Sequence, residues 1–260
     1  MTLLDPRERT RAGAQRHNEL WGKIAQEPKT PLEASWRDYV FAEVWARPDL
    51  DRRSRYFISI AGAVCVGAET SIIDGYVRGA LTLNEITLAE MREAALHLAV
   101  YAGWSRGTIV DASVTRVSKE LGLPPVPFAP IREKPWDPEQ RFQDGAAAFK
   151  SVMTFPGPKP NCPFNEGGIL NFVFGEMWVR AGLDQRARRW LTLVGVADSS
   201  SNIPIRSHIY SAMASGNATP REMGEFVLQY AVHGSWPKAS VIQSAVEEMG
   251  DRVTKGLPFQ

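Results

Sequence analysis

The chain has little cysteine and little histidine. Cys65 and Cys162 are the two cysteines in 260 residues. They lie far apart in no C-x-x-C or zinc-ligand spacing, which argues against a disulfide framework, a structural zinc site and thiol–disulfide chemistry. Both are expected to serve as small apolar residues. There is no H-E-x-x-H, no G-x-S-x-G and no glycine-rich phosphate loop, so neither metal nor cofactor is expected. No apolar run reaches about 18 residues, and no membrane span is expected. The N-terminal MTLLDPRERTRAG shows no apolar signal-peptide core, and a cytoplasmic location is expected. Neither sign of charge dominates. A net charge of +1 leaves no basic footprint for nucleic acid or a membrane surface. What is there is 44% hydrophobic and 23% charged, enough apolar material for a sizeable core.

The chain also repeats itself. DPRERTRAG at Asp5 returns as DPEQRFQDG at Asp137, and FAEVWARPDLDRRSR at Phe41 returns as FGEMWVRAGLDQRAR at Phe174. Glu90-Met91 matches Glu222-Met223, and Trp104 matches Trp236. The spacing is 132 or 133 residues throughout, with one residue gained and later lost in loops. Three parts follow: a first repeat over 1–121, a Pro-rich extended linker GLPPVPFAPIREKPW over 122–136, and a second repeat over 137–260. A further Pro-rich stretch, FPGPKPNCP, lies inside the second repeat.

Each repeat reads as about six helices, giving an all-α fold. Asp5 and Asp137 precede proline at the first helical position, and Asp51 and Asp184 precede long apolar helices. Thr87 with Glu90, and Thr219 with Glu222, have the spacing of the capping box. Trp36–Trp45 carries apolar residues at helical spacing. No β-hairpin signal competes.

Four histidines are the first candidates for chemistry. His17 lies on a charged helix and reads as a solvated surface residue. His97 and His233 lie on apolar helices and read as packed core residues. His208 follows the polar loop DSSSNIPIRS and opens HIYSAMASG, so it is placed to face a cavity and exchange a proton near neutral pH. Its counterpart in the first repeat is Tyr76. Glu43/Glu176, Arg47/Arg180, Arg53/Arg186 and Arg55/Arg188 occupy equivalent places. Arg47/Arg180 and Arg53/Arg186 read as structural ion pairs. Glu176 and Arg188 lie in more apolar surroundings, where a buried charge needs a partner or a ligand, and an arginine fork suits a carboxylate.

The pattern E-x-W-x-R-x-x-L-D-x-R-x-R, and the later H-x-x-x-A-x-x-x-G-x-T-x-x-E-M, resemble the carboxymuconolactone decarboxylase family. The lead-in RERTRAGAQRHNELWG is similar too, and the resemblance covers both repeats. It implies an AhpD-like helical fold in a fused tandem member. The AhpD-type alkylhydroperoxidases use a C-x-x-C pair that is absent here. The family histidine maps onto His208, and the family glutamate onto Glu43 and Glu176. The acidic residues that usually precede the histidine are replaced by SSSNIPIRS. The implied function is a cofactor-independent lyase that removes carbon dioxide from a small carboxylated lactone or related unsaturated acid. In that reading His208 is the general acid, Arg188 the carboxylate or oxyanion partner, and Glu176 an orienting group. Trp178, Trp190 and Tyr210 are the candidate substrate-binding aromatics. The first repeat is then a degenerate, supporting half. The alternative is a non-catalytic small-ligand binding or scaffold protein of the same fold. Single-repeat members of the family form rings of six, so a homotrimer arranged as a pseudo-hexamer is expected.

Overall fold

Each cap signal in the sequence starts a helix where it was expected to. In the computed structural model, which describes residues 5–24, 26–133 and 135–260, the first repeat contains α1 (Pro6–Trp21), α2 (Pro31–Ser35), a π-helical segment π1 (Trp36–Val44), α3 (Arg52–Cys65), α4 (Thr70–Thr82), α5 (Leu88–Ala102) and α6 (Trp104–Glu120). The second contains α7 (Pro138–Met153), π2 (Phe164–Met177), α8 (Gln185–Ser199), α9 (Asn202–Ala214), α10 (Pro220–Gly234) and α11 (Trp236–Thr254). Residues 1–4, the start of the stretch read for a signal core, lie outside the described residues. Asp5, Asp51, Asp137 and Asp184 each accept a backbone N–H of the following turn. Both capping boxes close, at Thr87/Glu90 and Thr219/Glu222. No strand occurs among the described residues. The fold is all-α, as the sequence leads one to expect.

Two local expectations are corrected. Trp36–Trp45 is wider than an α-helix: the N–H of Trp45 reaches the carbonyl of Val40, and that of Trp178 reaches Val173, five residues back in both repeats. Apolar spacing does not distinguish an i→i−5 helix from an i→i−4 one. The loop before His208 is also shorter than read. NIPIRS is already helical, because Pro204 falls in the first turn of α9, where no intrahelical N–H bond is needed. His208 therefore sits well inside α9, not at its mouth.

Packing then crosses the repeat boundary. α3 and α8 lie against each other at the centre, with α10 packed on α3 and α5 on α8. One hydrophobic core takes in both repeats, from Phe57 and Val77 to Trp190 and Phe226. A smaller cluster of Phe149, Met153, Leu170, Phe174 and Trp178 joins α7 to π2. The outer helices are held close by glycine. A Cβ on Gly13 would lie 2.2 Å from the carbonyl oxygen of Arg37, and one on Gly145 would lie 2.1 Å from that of Leu170. Ion pairs also cross between repeats in reciprocal fashion: Arg53 to Asp184 and Arg186 to Asp51, both at 2.8 Å, and Arg47 to Glu225 with Arg180 to Glu93. These bonds accord with the structural reading of Arg47, Arg53, Arg180 and Arg186.

Candidate active site

His208 lies on the wall of a cavity of about 390 Å³ in the second half. Phe149 and Met153 from α7, Phe174 from π2, Pro204 and Ser207 from α9, and Phe259 near the C-terminus share that wall. The first repeat contributes Tyr101 from α5, so the site draws on both repeats. The Tyr101 ring meets the His208 imidazole edge to face at 5.4 Å, and its hydroxyl accepts the Trp178 indole N–H at 2.7 Å. Burial pushes the Tyr101 hydroxyl up to about 12, so it stays protonated. His208 is 7% exposed, and its Nδ1 has no hydrogen-bond partner among the described residues. Burial first, and then the nearby charge of Arg189, push the imidazole down to about 3. At neutral pH it is uncharged.

Arg189 is the functional candidate that the sequence reading missed. Its guanidinium is fully buried, yet it forms no ion pair with a carboxylate among the described residues. Nη2 donates to the Val152 carbonyl at 2.7 Å, Nε reaches Asn217 at 3.4 Å, and Nη1 finds only the Met153 sulfur at 3.9 Å. The group also lies over the Trp178 ring at 4.9 Å. Burial lowers it to about 10, which leaves it charged at pH 7. A buried cation without a counter-ion costs several kcal/mol unless something completes the site. Met153, its weakest partner, is also cavity wall. The signal was available: the second repeat reads Arg188-Arg189, while the first has Arg55-Tyr56. Only the second of the paired residues differs in type.

The structure separates Glu176, Arg188 and Trp190 from this cavity. Glu176 is clamped by Arg132 at 2.7 Å and Arg141 at 2.8 Å and lines a different cleft. Its counterpart Glu43 pairs with Arg9 in the same way, so this glutamate ties the first helix of each repeat to its π segment. Arg188 donates to the carbonyls of Leu183 and Arg180 and contacts His97 Nδ1 at 3.3 Å. Its hydrogen-bonding edges are turned to the backbone and to His97. Trp190 is wholly buried against Phe226, with Arg186 over its face. Trp178 is brought to the site through Tyr101. Tyr210 donates to the Leu257 carbonyl and packs on Phe155 and Phe259, two residues of the cavity wall. His97 is buried with both ring nitrogens engaged, the packed role expected of it. His17 is not solvated: it packs at 4.8 Å from Trp21 and 4.6 Å from Phe41. Cys162 is exposed, and only Cys65 is buried.

The first repeat has not simply lost its histidine. Tyr76 lies 3.2 Å from Nε2 of His233, their rings edge to face at 5.6 Å. Tyr76 is the counterpart of His208, and His233 the counterpart of Tyr101. The same pair is present with its partners exchanged. Here Trp21 packs across Tyr76 at 5.7 Å, where the second half has the smaller Met153. Gly75 makes room for it, since a Cβ there would come within 2.9 Å of the indole.

A larger cleft, about 760 Å³, runs along α5, α6 and residues 123–131. Four of its charged side chains are paired, Arg92 with Asp111 and Arg180 with Glu93. No group of three or more metal-ligating side chains, and no helix long and apolar enough to cross a membrane, occurs among the described residues.

Residues 31–108 match the carboxymuconolactone decarboxylase family. Over this segment the chain resembles that family. The match runs from α2 into α6 and includes Tyr76, His97 and Tyr101. A 4-carboxymuconolactone decarboxylase of Acinetobacter baylyi is 31% identical over 87 residues, which are 34% of this chain and 63% of that protein. A nitrosuccinic acid decarboxylase of Metarhizium robertsii is 37% identical over 67 residues, which are 25% of this chain and 45% of that protein. The chain thus spans less than two thirds of the length of either relative.

Proposed function

We propose that the protein is a decarboxylase for a small carboxylated lactone or related unsaturated carboxylic acid, of the 4-carboxymuconolactone kind, and that the reaction occurs in the His208 cavity without a cofactor. The observation that carries this reading is the buried Arg189 charge behind an apolar wall that also holds a neutral histidine. An anionic substrate would supply the counter-charge the site lacks. Both relatives are named as decarboxylases, which supports the reaction class.

In this reading the substrate carboxylate enters toward Arg189, whose field holds it. The wall of Phe149, Phe155 and Phe174 gives the carboxylate little solvation, which favours its departure as uncharged carbon dioxide. The C–C bond breaks, and its electron pair passes into the substrate's own conjugated carbonyl as a dienolate. The Tyr101 hydroxyl and Arg189 oppose the charge on that oxygen. A bound anion raises the pKa of His208, so the imidazole gains a proton from solvent and delivers it to carbon. Carbon dioxide and the protonated product leave, and His208 returns to its neutral state.

Carbon dioxide release from 4-carboxymuconolactone, with ultraviolet loss of the conjugated acid, tests the reaction. Arg189→Met is expected to raise KM at least tenfold, whereas Arg189→Lys restores part of the binding. A ligand-binding module without turnover is the second reading, favoured by the neutral state of His208. It predicts saturable binding of the acid with no gas released.

A further inference from the structure

No charged side chain is among the residues that line the His208 cavity. Its counterpart in the first repeat is different. There the stretch QEPKT, after α1, brings Glu27 and Lys29 to the rim of the matching hollow, with Glu33 and Arg37 beside them. In the second repeat the corresponding stretch, TFPGPKPNCP, lays Phe155, Pro156 and Pro158 on the cavity instead. Gly157 lets this strap lie close: a Cβ there would come 3.0 Å from the Leu170 side chain and 3.2 Å from the Phe149 ring. The segment after α11 closes the other side. Tyr210 donates to the Leu257 carbonyl and Arg252 to the Pro258 carbonyl, each at 2.9 Å. The Phe259 ring beside them stacks on Phe155 at 5.0 Å.

The polar groups on the wall are already bonded. The Asn165 amide nitrogen donates to the Lys159 carbonyl at 3.0 Å and to Asn161 at 3.1 Å. The Ser207 hydroxyl donates to the Pro204 carbonyl at 3.2 Å. Gln260 is exposed, so its amide stays in water. Behind the wall, the field of the charged Arg189 offsets a single negative charge. A second carboxylate inside would give up its water to phenyl rings and gain no partner, which weakens binding by about tenfold or more. A flat aromatic body gives up little water there and gains ring contacts with Phe149, Phe155 and Phe259. We infer that the His208 cavity selects a monocarboxylate whose remaining body is an uncharged aromatic ring, and that Phe155 and Phe259 are the residues that select it. The inference rests on the reading of this cavity as the substrate site, and it narrows the acid. 4-Carboxymuconolactone, which carries two carboxylates, still probes the reaction but fits this wall less well.

Trans-cinnamate and trans,trans-muconate separate the two kinds of acid. Both are flat, conjugated and of similar length. One ends in a phenyl ring, the other in a second carboxylate. Neither has a carbonyl placed to take up the electron pair of a leaving carbon dioxide, so binding is read without turnover. Titration calorimetry on the full chain at pH 7 is expected to show cinnamate bound at least about tenfold more tightly than muconate. Phe155→Ala and Phe259→Ala are each expected to weaken cinnamate at least about threefold and to leave muconate within about twofold, with the circular dichroism unchanged. Muconate bound as tightly as cinnamate would overturn the inference. So would cinnamate binding that both variants leave intact. Carbon dioxide release from 4-carboxymuconolactone reads the reaction separately. Release that cinnamate does not inhibit overturns the aromatic subsite and leaves the decarboxylase standing. Cinnamate binding that depends on Phe155 and Phe259, with no carbon dioxide released, upholds the subsite and overturns the decarboxylase.

Discussion

His208 meets neutral water as an uncharged base, and that sets what a substitution there reads. His208→Gln keeps a polar side chain of similar length and removes the titrating group. Turnover is expected to fall by about 10²–10⁴ in the carbon dioxide assay, and a loss under fivefold would argue against proton delivery. Tyr76→Phe, in the first repeat, is expected to leave turnover unchanged. The same burial has a cost in acid. His208 is held at about 3 and His233 at about 4, both by burial, below the 6.5 of a free imidazole. The unfolded chain then binds more protons in between. Stability is full above about pH 6.5 and is lost as pH falls toward 4 and then 3. Each unit costs up to about 1.4 kcal/mol per histidine. Urea midpoints between pH 7 and pH 5, above the range of the paired carboxylates, should fall, and His208→Gln should flatten the slope.

Among the elements, the outer helices are placed by backbone contact. Gly145→Ala puts a methyl group into the Leu170 carbonyl, so α7 or π2 must shift. A loss of about 1–3 kcal/mol is expected, or roughly 2 °C or more in Tm by scanning calorimetry. Gly167→Ala, which meets open space, should fall well short of that. The helix starts were legible in the sequence because a cap is a local contract. Asp51 and Thr87 need only the next three residues to do their work. The histidine was legible for the same kind of reason, as it stands out against Tyr76 in the register of the repeat. Arg189 was not, because an unpaired buried charge is a statement about absent neighbours, and neighbours are set by packing. Glu176 misled for the converse reason. Arg132 and Arg141, which neutralise it, lie 44 and 35 residues away in sequence.

Taken whole, the molecule repeats its exposed apolar residues as well as its core. Trp104 and Trp236 are each 58% exposed, and Ile109 and Val241 are exposed at equivalent places on α6 and α11. Two like patches on one chain suit a closed ring better than a lone monomer. Light scattering is expected to give the mass of three chains of 28.8 kDa, independent of concentration, and Trp104→Glu with Trp236→Glu to give that of one. A fully active wild-type monomer would exclude the ring. The crossing of α5 and α10 between the halves reaches further than assembly. Tyr101 of the first copy lines the cavity of the second half, and His233 of the second copy stands against Tyr76 of the first. After a duplication, copies that fold separately are free to diverge, one keeping the old task while the other drifts. These two copies are not. A substitution at Tyr101 on α5 is felt in the cavity of the second half, so the first copy cannot change there without altering the second.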